Sequence, residues 1–123
     1  MKRLFLMTLL SGLCSIFGCT AKGFVSVKAD EFAHEIAKPN VQLVDVRTAD
    51  EYAEGHIPNA VNIDVLEPAF AERIATLDKE RTVALYCRSG RRSKAAAEKV
   101  TKMGYKVVEL DGGILSWRGK LAR

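Results

Sequence analysis

From residue 24 onward, short apolar runs alternate with longer stretches in which apolar residues return every three or four positions. Phe24 to Val27 predicts a short strand. Ala29, Phe32, Ala33, Ile36 and Ala37 then fall on one face of a helix. Asp30 and Glu31 lie in its first turn, where the dipole favours acidic groups, and Pro39-Asn40 ends it. Val41 to Val46 is the next strand. Thr48 with Glu51 three residues on makes a capping box, which predicts a short helix running to Gly55. Val61 to Ile63 reads as a short strand and Leu66 to Leu77 as a helix. Thr82 to Tyr86 is an apolar run of the length of a buried strand. A helix from Arg91 to Met103 follows, with Ala96, Val100 and Met103 facing inward and Gly104 as its C-terminal cap. Val107 to Leu110 is the last strand, and Gly113 to Gly119 predicts a short closing helix that carries Trp117. Strands separated by helices pair in parallel through right-handed crossovers, so the fold class is α/β, a small open parallel sheet with helices on both faces. Ligands of such sheets bind beyond the carboxyl ends of the strands.

The first residues follow a different pattern. Lys2 and Arg3 form a basic head, and Leu4 to Phe17 is apolar apart from Thr8, Ser11, Gly12 and Ser15. This run is shorter than the ~18 residues of a membrane-spanning helix and matches the core of an export signal. Residues 1–21 are therefore read as a signal peptide and 22–123 as one domain. Two cleavage patterns remain open. Ile16-Phe17-Gly18-Cys19 resembles the bacterial lipobox, in which the signal ends at residue 18 and a lipid on Cys19 attaches the chain to a membrane. Cys19 and Ala21 also supply the small-x-small spacing for ordinary cleavage after Ala21. Both place the domain in the periplasm or cell envelope.

About 100 residues then remain, enough for one core. Losing Lys2 and Arg3 lowers the net charge from +4 to +2, which leaves no broad basic face for a nucleic acid. Cys14 departs with the signal and Cys19 is lipidated or removed, so Cys87 stands alone. A lone thiol in an oxidising compartment has no intrachain disulfide partner and points to a reactive role.

Cys87 immediately follows the Thr82–Tyr86 strand, and Cys87-Arg88-Ser89-Gly90-Arg91-Arg92-Ser93 leads directly into a helix. Gly90 permits a turn in which successive N–H groups point inward as an anion-binding nest. The helix N-terminus favours an anion above it, and with Arg88, Arg91 and Arg92 it would stabilise a thiolate. A buried cysteine can also act simply as a small hydrophobe. Three arginines, two serines and a glycine in the adjoining residues are poor core material, which favours the reactive reading.

Asp45-Val46-Arg47, Glu51-Tyr52, Gly55-His56-Ile57-Pro58-Asn59-Ala60, the Cys87 loop and Gly112-Gly113 with Trp117 together resemble the rhodanese family in order and spacing. The likeness covers residues 24 to 119. It implies a five-stranded parallel sheet and the transfer of sulfane sulfur from thiosulfate, through a persulfide on Cys87, to a thiophilic acceptor such as cyanide or a thiol. Arg88, Ser89, Gly90, Arg91 and Arg92 would bind the small anionic donor. Rhodanese-like phosphatases and arsenate-handling relatives have five residues between cysteine and arginine. Cys87 and Arg92 enclose four, which resembles the sulfur-transfer version.

Asp45, a carboxylate between Val44 and Val46, needs a cationic or hydrogen-bonding partner if buried. The family resemblance makes it a brace for the active loop, with Arg92 as partner. A plain helix-entry acceptor is the alternative. His56 is read as a hydrogen-bonded loop former, and Trp117 and Tyr105 as core or rim packing. His34 lies apart on a helix, and without clustered cysteines no metal or other cofactor is expected. Three roles are carried forward: a thiosulfate-type sulfurtransferase, a protein-to-protein sulfur carrier, and a binding module without turnover.

Overall fold

In the computed structural model, which describes residues 23–123, the chain order is β1 (Val25–Val27), α1 (Ala29–Ile36), β2 (Val41–Asp45), α2 (Ala49–Glu54), β3 (Val61–Asn62), α3 (Phe70–Ile74), β4 (Thr82–Tyr86), α4 (Arg91–Lys102), β5 (Val107–Leu110) and a 3₁₀ turn at Ile114–Ser116. The segment 1–21 expected to be a signal peptide, with Cys14 and Cys19, lies outside the described residues. The five strands form one sheet in the order β1-β5-β4-β2-β3, every pairing parallel.

The apolar character of β4 follows from its central position. Side chains alternate across a strand. Val83 and Leu85, with Cys87 just beyond, face Phe70 and Ile74 of α3 and Ala96, Ala97 and Val100 of α4. Ala84 and Tyr86 face the other way, towards Phe32 and Ile36 of α1. Each fully buried Val, Leu or Ile contributes roughly 1.5–3 kcal/mol, so the two layers together fix the register. The same alternation places Val107 and Glu109 of β5 towards α4, and Val108 and Leu110 towards α1.

After β2 the chain moves outward to β3, whereas after β4 it moves in the opposite direction to β5. The strand order therefore reverses between β2 and β4, and the residues that follow their carboxyl ends face a crevice. Cys87 is one of them.

The expected helix over Leu66 to Leu77 shortens to Phe70–Ile74. Asp64 diverts the chain first, its carboxylate accepting the Leu66 N–H at 2.9 Å and its carbonyl the Glu67 N–H at 3.1 Å. Pro68 follows, and three-residue bonds from Thr76 to Arg73 and Leu77 to Ile74 tighten the far end. The closing helix reduces to the single 3₁₀ turn, with Trp117 already extended. On α1 only Phe32 is fully buried, with Ala29 and Ile36 packed beside it; Ala33 and Ala37 are exposed, so the apolar stripe is narrower than its periodicity. The Thr48–Glu51 capping box forms as expected.

Candidate active site

The loop after β4 is shaped by hydrogen bonds to its own backbone. Gly90, the N-cap of α4, has φ of 102°, in the left-handed region that glycine occupies without strain. The resulting turn brings the Gly90 N–H to 3.0 Å from Cys87 Sγ. The sulfur thus lies beside the first turn of a 12-residue helix, whose leading N–H groups have no acceptors within the helix and whose dipole favours negative charge. Cys87 is only 1% exposed. Arg88, Ser89 and Arg91 point into solvent around it.

Gly113 closes the other side. Ile114 N–H donates to the Cys87 carbonyl at 2.9 Å and Leu115 N–H to the Arg88 carbonyl at 3.2 Å. This contact needs a residue without a side chain, because a Cβ on Gly113 would lie 2.3 Å from the Arg88 carbonyl oxygen. The Gly-Gly turn therefore holds the active loop in place.

Asp45 and Arg92 do not pair, contrary to the expectation from the sequence. The carboxylate of Asp45 is fully buried and faces the α1 side of the sheet, whereas α4 packs on the other face. Its partners are Arg47, with Nη2 at 2.7 Å and Nε at 3.0 Å, and the Tyr86 hydroxyl, which donates at 2.7 Å. Arg47 also donates to the Gly55 carbonyl at 2.7 Å. Burial opposes the charge on Arg47, yet the hydrogen bonds and charge of Asp45 outweigh it and hold the guanidinium above its ordinary value. Burial and the neighbouring carboxylate push the Tyr86 phenol up. This network joins β2 to the Gly55-His56-Ile57 segment, where the Tyr86 hydroxyl also accepts the Ile57 N–H at 3.0 Å. Asp45 braces the strand and its following loop rather than the active loop.

Arg92 is held by Glu51 instead, through two hydrogen bonds of 2.8 and 2.9 Å. Glu51 stands in the first turn of α2, beyond the end of β2, and so reaches α4 over the edge of the sheet. Hydrogen bonds from Arg92, aided by those of Thr48 and opposed by burial, lower the Glu51 carboxyl from 4.5 to about 2. The bond to Glu51 raises Arg92 in turn. From the sequence Glu51 was legible as a helix cap and, with Tyr52, as part of the family resemblance, but not as the partner of Arg92. Its second role comes from tertiary packing.

A second buried carboxylate has no counterpart in the sequence reading. Glu109 of β5 is fully buried on the Cys87 face of the sheet. Cys87 Sγ donates to Ser93 Oγ at 3.3 Å, and Ser93 donates to Glu109 Oε2 at 2.5 Å. Ser26 donates to the other Glu109 oxygen at 2.5 Å.

His56 forms the loop as expected. Its ring stacks on Tyr52 at 3.7 Å, and its Nδ1–H donates to the Tyr52 carbonyl at 2.9 Å. Tyr105 is buried and donates to the Ile74 carbonyl at 2.8 Å. Trp117 meets Phe32 edge-on at 6.5 Å and lines a cleft of about 610 Å³ between α1 and β2–β3. None of the Cys87 loop lines that cleft, so its size does not mark the chemistry.

What this arrangement can do is hold a negatively charged sulfur against a helix N-terminus beneath an arginine-rich rim. Proteins that bear the sulfurtransferase name are similar to this chain in sequence. Over 73 residues the chain is 44% identical to the thiosulfate sulfurtransferase PspE of Escherichia coli, covering 58% of this chain and 68% of that one. It is 42% identical over 80 residues to a sulfurtransferase of Allochromatium vinosum, covering 63% and 72%. In structure it is similar to a rhodanese-related protein from Thermoplasma volcanium, with a TM-score of 0.71 and 29% identity over 79% of this chain and 96% of that one. The sequence model of the rhodanese-like domain matches residues 28–120, from the last residue before α1 to just past Trp117, and the chain belongs to that family.

Proposed function

We propose that this domain is a sulfurtransferase that moves sulfane sulfur from thiosulfate, or a similar small anionic donor, to a thiophilic acceptor through a persulfide on Cys87. The observation that carries this reading is the Gly90 N–H at 3.0 Å from a buried Sγ, at the start of α4. Arg88 and Arg91, left free of the Glu51 pair, meet the donor dianion at the rim. The thiolate attacks the outer sulfur of thiosulfate, the sulfur–sulfur bond breaks, and sulfite leaves with its electron pair. The persulfide's negative terminal sulfur then takes the place that the helix N-terminus favours. Cyanide or a thiolate removes that sulfur and regenerates Cys87. Steady-state turnover of thiosulfate with cyanide, set beside turnover with thiol acceptors, tests the reading; no thiocyanate and no transfer to thiols would end it.

One observation favours a protein acceptor. Leu115 is 63% exposed, although its N–H is bonded to the active loop at Arg88. Covering this one side chain would stabilise a protein complex and do nothing for a small anion. For such an acceptor, Leu115→Ser slows sulfur delivery to the protein partner and leaves loading by thiosulfate unchanged. The signal segment 1–21 is proposed to direct the domain to the cell envelope, with Cys19 lipidated and attached to the membrane. Cys19→Ala then moves the protein out of the membrane fraction, whereas a mature N-terminus at Lys22 would establish ordinary secretion.

A further inference from the structure

The alternation of β5 puts Glu109 where an apolar residue belongs. Val107, two positions earlier on the same face, packs into the core, and Glu109 is 0% exposed beside it. An ionisable carboxyl in such a place is costly unless its partners compensate. Those partners come from two of the elements around it: Ser26 from β1, and Ser93 and Lys94 from α4, the latter with Nζ at 3.4 Å. Lys94 is shared with Asp111 at 3.1 Å, so the cation is not dedicated to Glu109.

Ser93 connects this carboxylate to the sulfur. Its hydroxyl carries one proton, which it donates to Glu109, leaving its lone pairs for the Cys87 S–H at 3.3 Å. With Cys87 only 1% exposed, bulk water is poorly placed to take the thiol proton. We propose that Glu109 accepts the Cys87 proton through Ser93, so that the buried pair holds one proton and presents a thiolate. The proposal rests on Cys87 being the reactive sulfur.

The step balances without any further reagent. The Cys87 S–H bond breaks as its proton joins Ser93 Oγ, and the original Ser93 proton passes to Glu109 Oε2. The hydroxyl that donated to Glu109 now donates to the sulfur, which gains a second donor beside the Gly90 N–H. The thiolate attacks the outer sulfur of thiosulfate and sulfite departs. When cyanide or a thiolate removes that sulfur, the thiolate re-forms and the proton can return along the same path.

The test is the pH profile of Cys87 alkylation by neutral iodoacetamide in the full chain, which needs no sulfur transfer. Two coupled groups sharing one proton titrate in two steps, so the wild type keeps a pH-independent shoulder of reactivity below its upper step. Glu109→Gln removes the acceptor. Ser93→Ala breaks the connection but keeps Glu109 and its Ser26 bond. A neutral Gln stands in for protonated Glu109, so Glu109→Gln should collapse the profile to one titration that lacks the upper step and keeps neutral-pH reactivity at or above the wild-type shoulder, whereas Ser93→Ala should lower the shoulder because the thiolate loses its hydroxyl donor. Arg88, Arg91, Arg92 and Lys94 are unchanged in both variants, so their charges do not account for these changes. A two-step profile that survives Glu109→Gln, or a wild type with one simple titration, overturns the relay. Failure of thiosulfate to load a protein that retains the shoulder would instead refute the sulfur-transfer reading.

Discussion

Replacing Glu51 with Gln removes the charge that holds Arg92 while keeping a side-chain oxygen for the Thr48 N–H, now accepted by Glu51 at 3.1 Å. The displacement of the Glu51 carboxyl from 4.5 to about 2 sets an upper limit to the effect. At ~1.4 kcal/mol per pH unit that limit is roughly 3 kcal/mol. The two side chains are 25% and 27% exposed, so solvent screens part of the attraction. Exposed pairs contribute only ~0.2–1 kcal/mol, and an intermediate value of about 1–2 kcal/mol is expected here. The folded-state value is depressed, so the stabilisation is complete above the unfolded value near 4.5 and is lost as pH falls through about 2. Urea unfolding of both proteins from pH 7 to pH 2 measures it. The gap should be about 1–2 kcal/mol at pH 5–7 and close steadily below 4.5. A gap that stays constant to pH 2 would refute the assignment of Glu51 as the partner of Arg92.

Asp45→Ala strands the buried Arg47 guanidinium and should cost about 3–5 kcal/mol in chemical denaturation. Because Arg92 keeps Glu51, the folded fraction should still load sulfur at close to the wild-type rate; a collapse of loading without loss of stability would restore the Asp45–Arg92 brace. Gly113→Ala forces a side chain against the Arg88 carbonyl at a φ of +63°, and stopped-flow loading should fall by about 10²-fold as the loop is displaced. Arg88→Ala and Arg91→Ala should each slow loading by thiosulfate. Raised salt should do the same in the wild type, since exposed charges are screened over ~8–10 Å, while discharge of the persulfide changes less. Equal salt dependence of both half-reactions would show that the arginine rim does not guide the donor.

Short apolar runs and helical periodicity revealed the sheet because β4 is buried on both faces and α4 presents Ala96 and Val100 to one of them. The Cys87 loop was legible for a local reason: strand, Gly90 and helix start are consecutive in the chain. The partners of the two buried carboxylates were not. Asp45 was recognisable as a charge inside an apolar strand, but which face it occupied, and hence whether Arg47 or Arg92 could reach it, depends on the register of β2 against β4. Glu109 carried the same signal between Val108 and Leu110, and alternation from Val107 would have turned it towards α4. Its link to Cys87 still required β5 to lie next to β4, a long-range pairing that no local pattern specifies. The α3 segment was misjudged because the Asp64 turn and Pro68 outweigh apolar periodicity.

The persulfide on Cys87 is the central claim, and intact-protein mass spectrometry after incubation with thiosulfate tests it most directly. The wild type should gain the mass of one sulfur atom at Cys87 and lose it on addition of cyanide, while Cys87→Ser gains nothing. Sulfur loading by Cys87→Ser, or a wild type whose mass is unchanged by thiosulfate, would contradict the account.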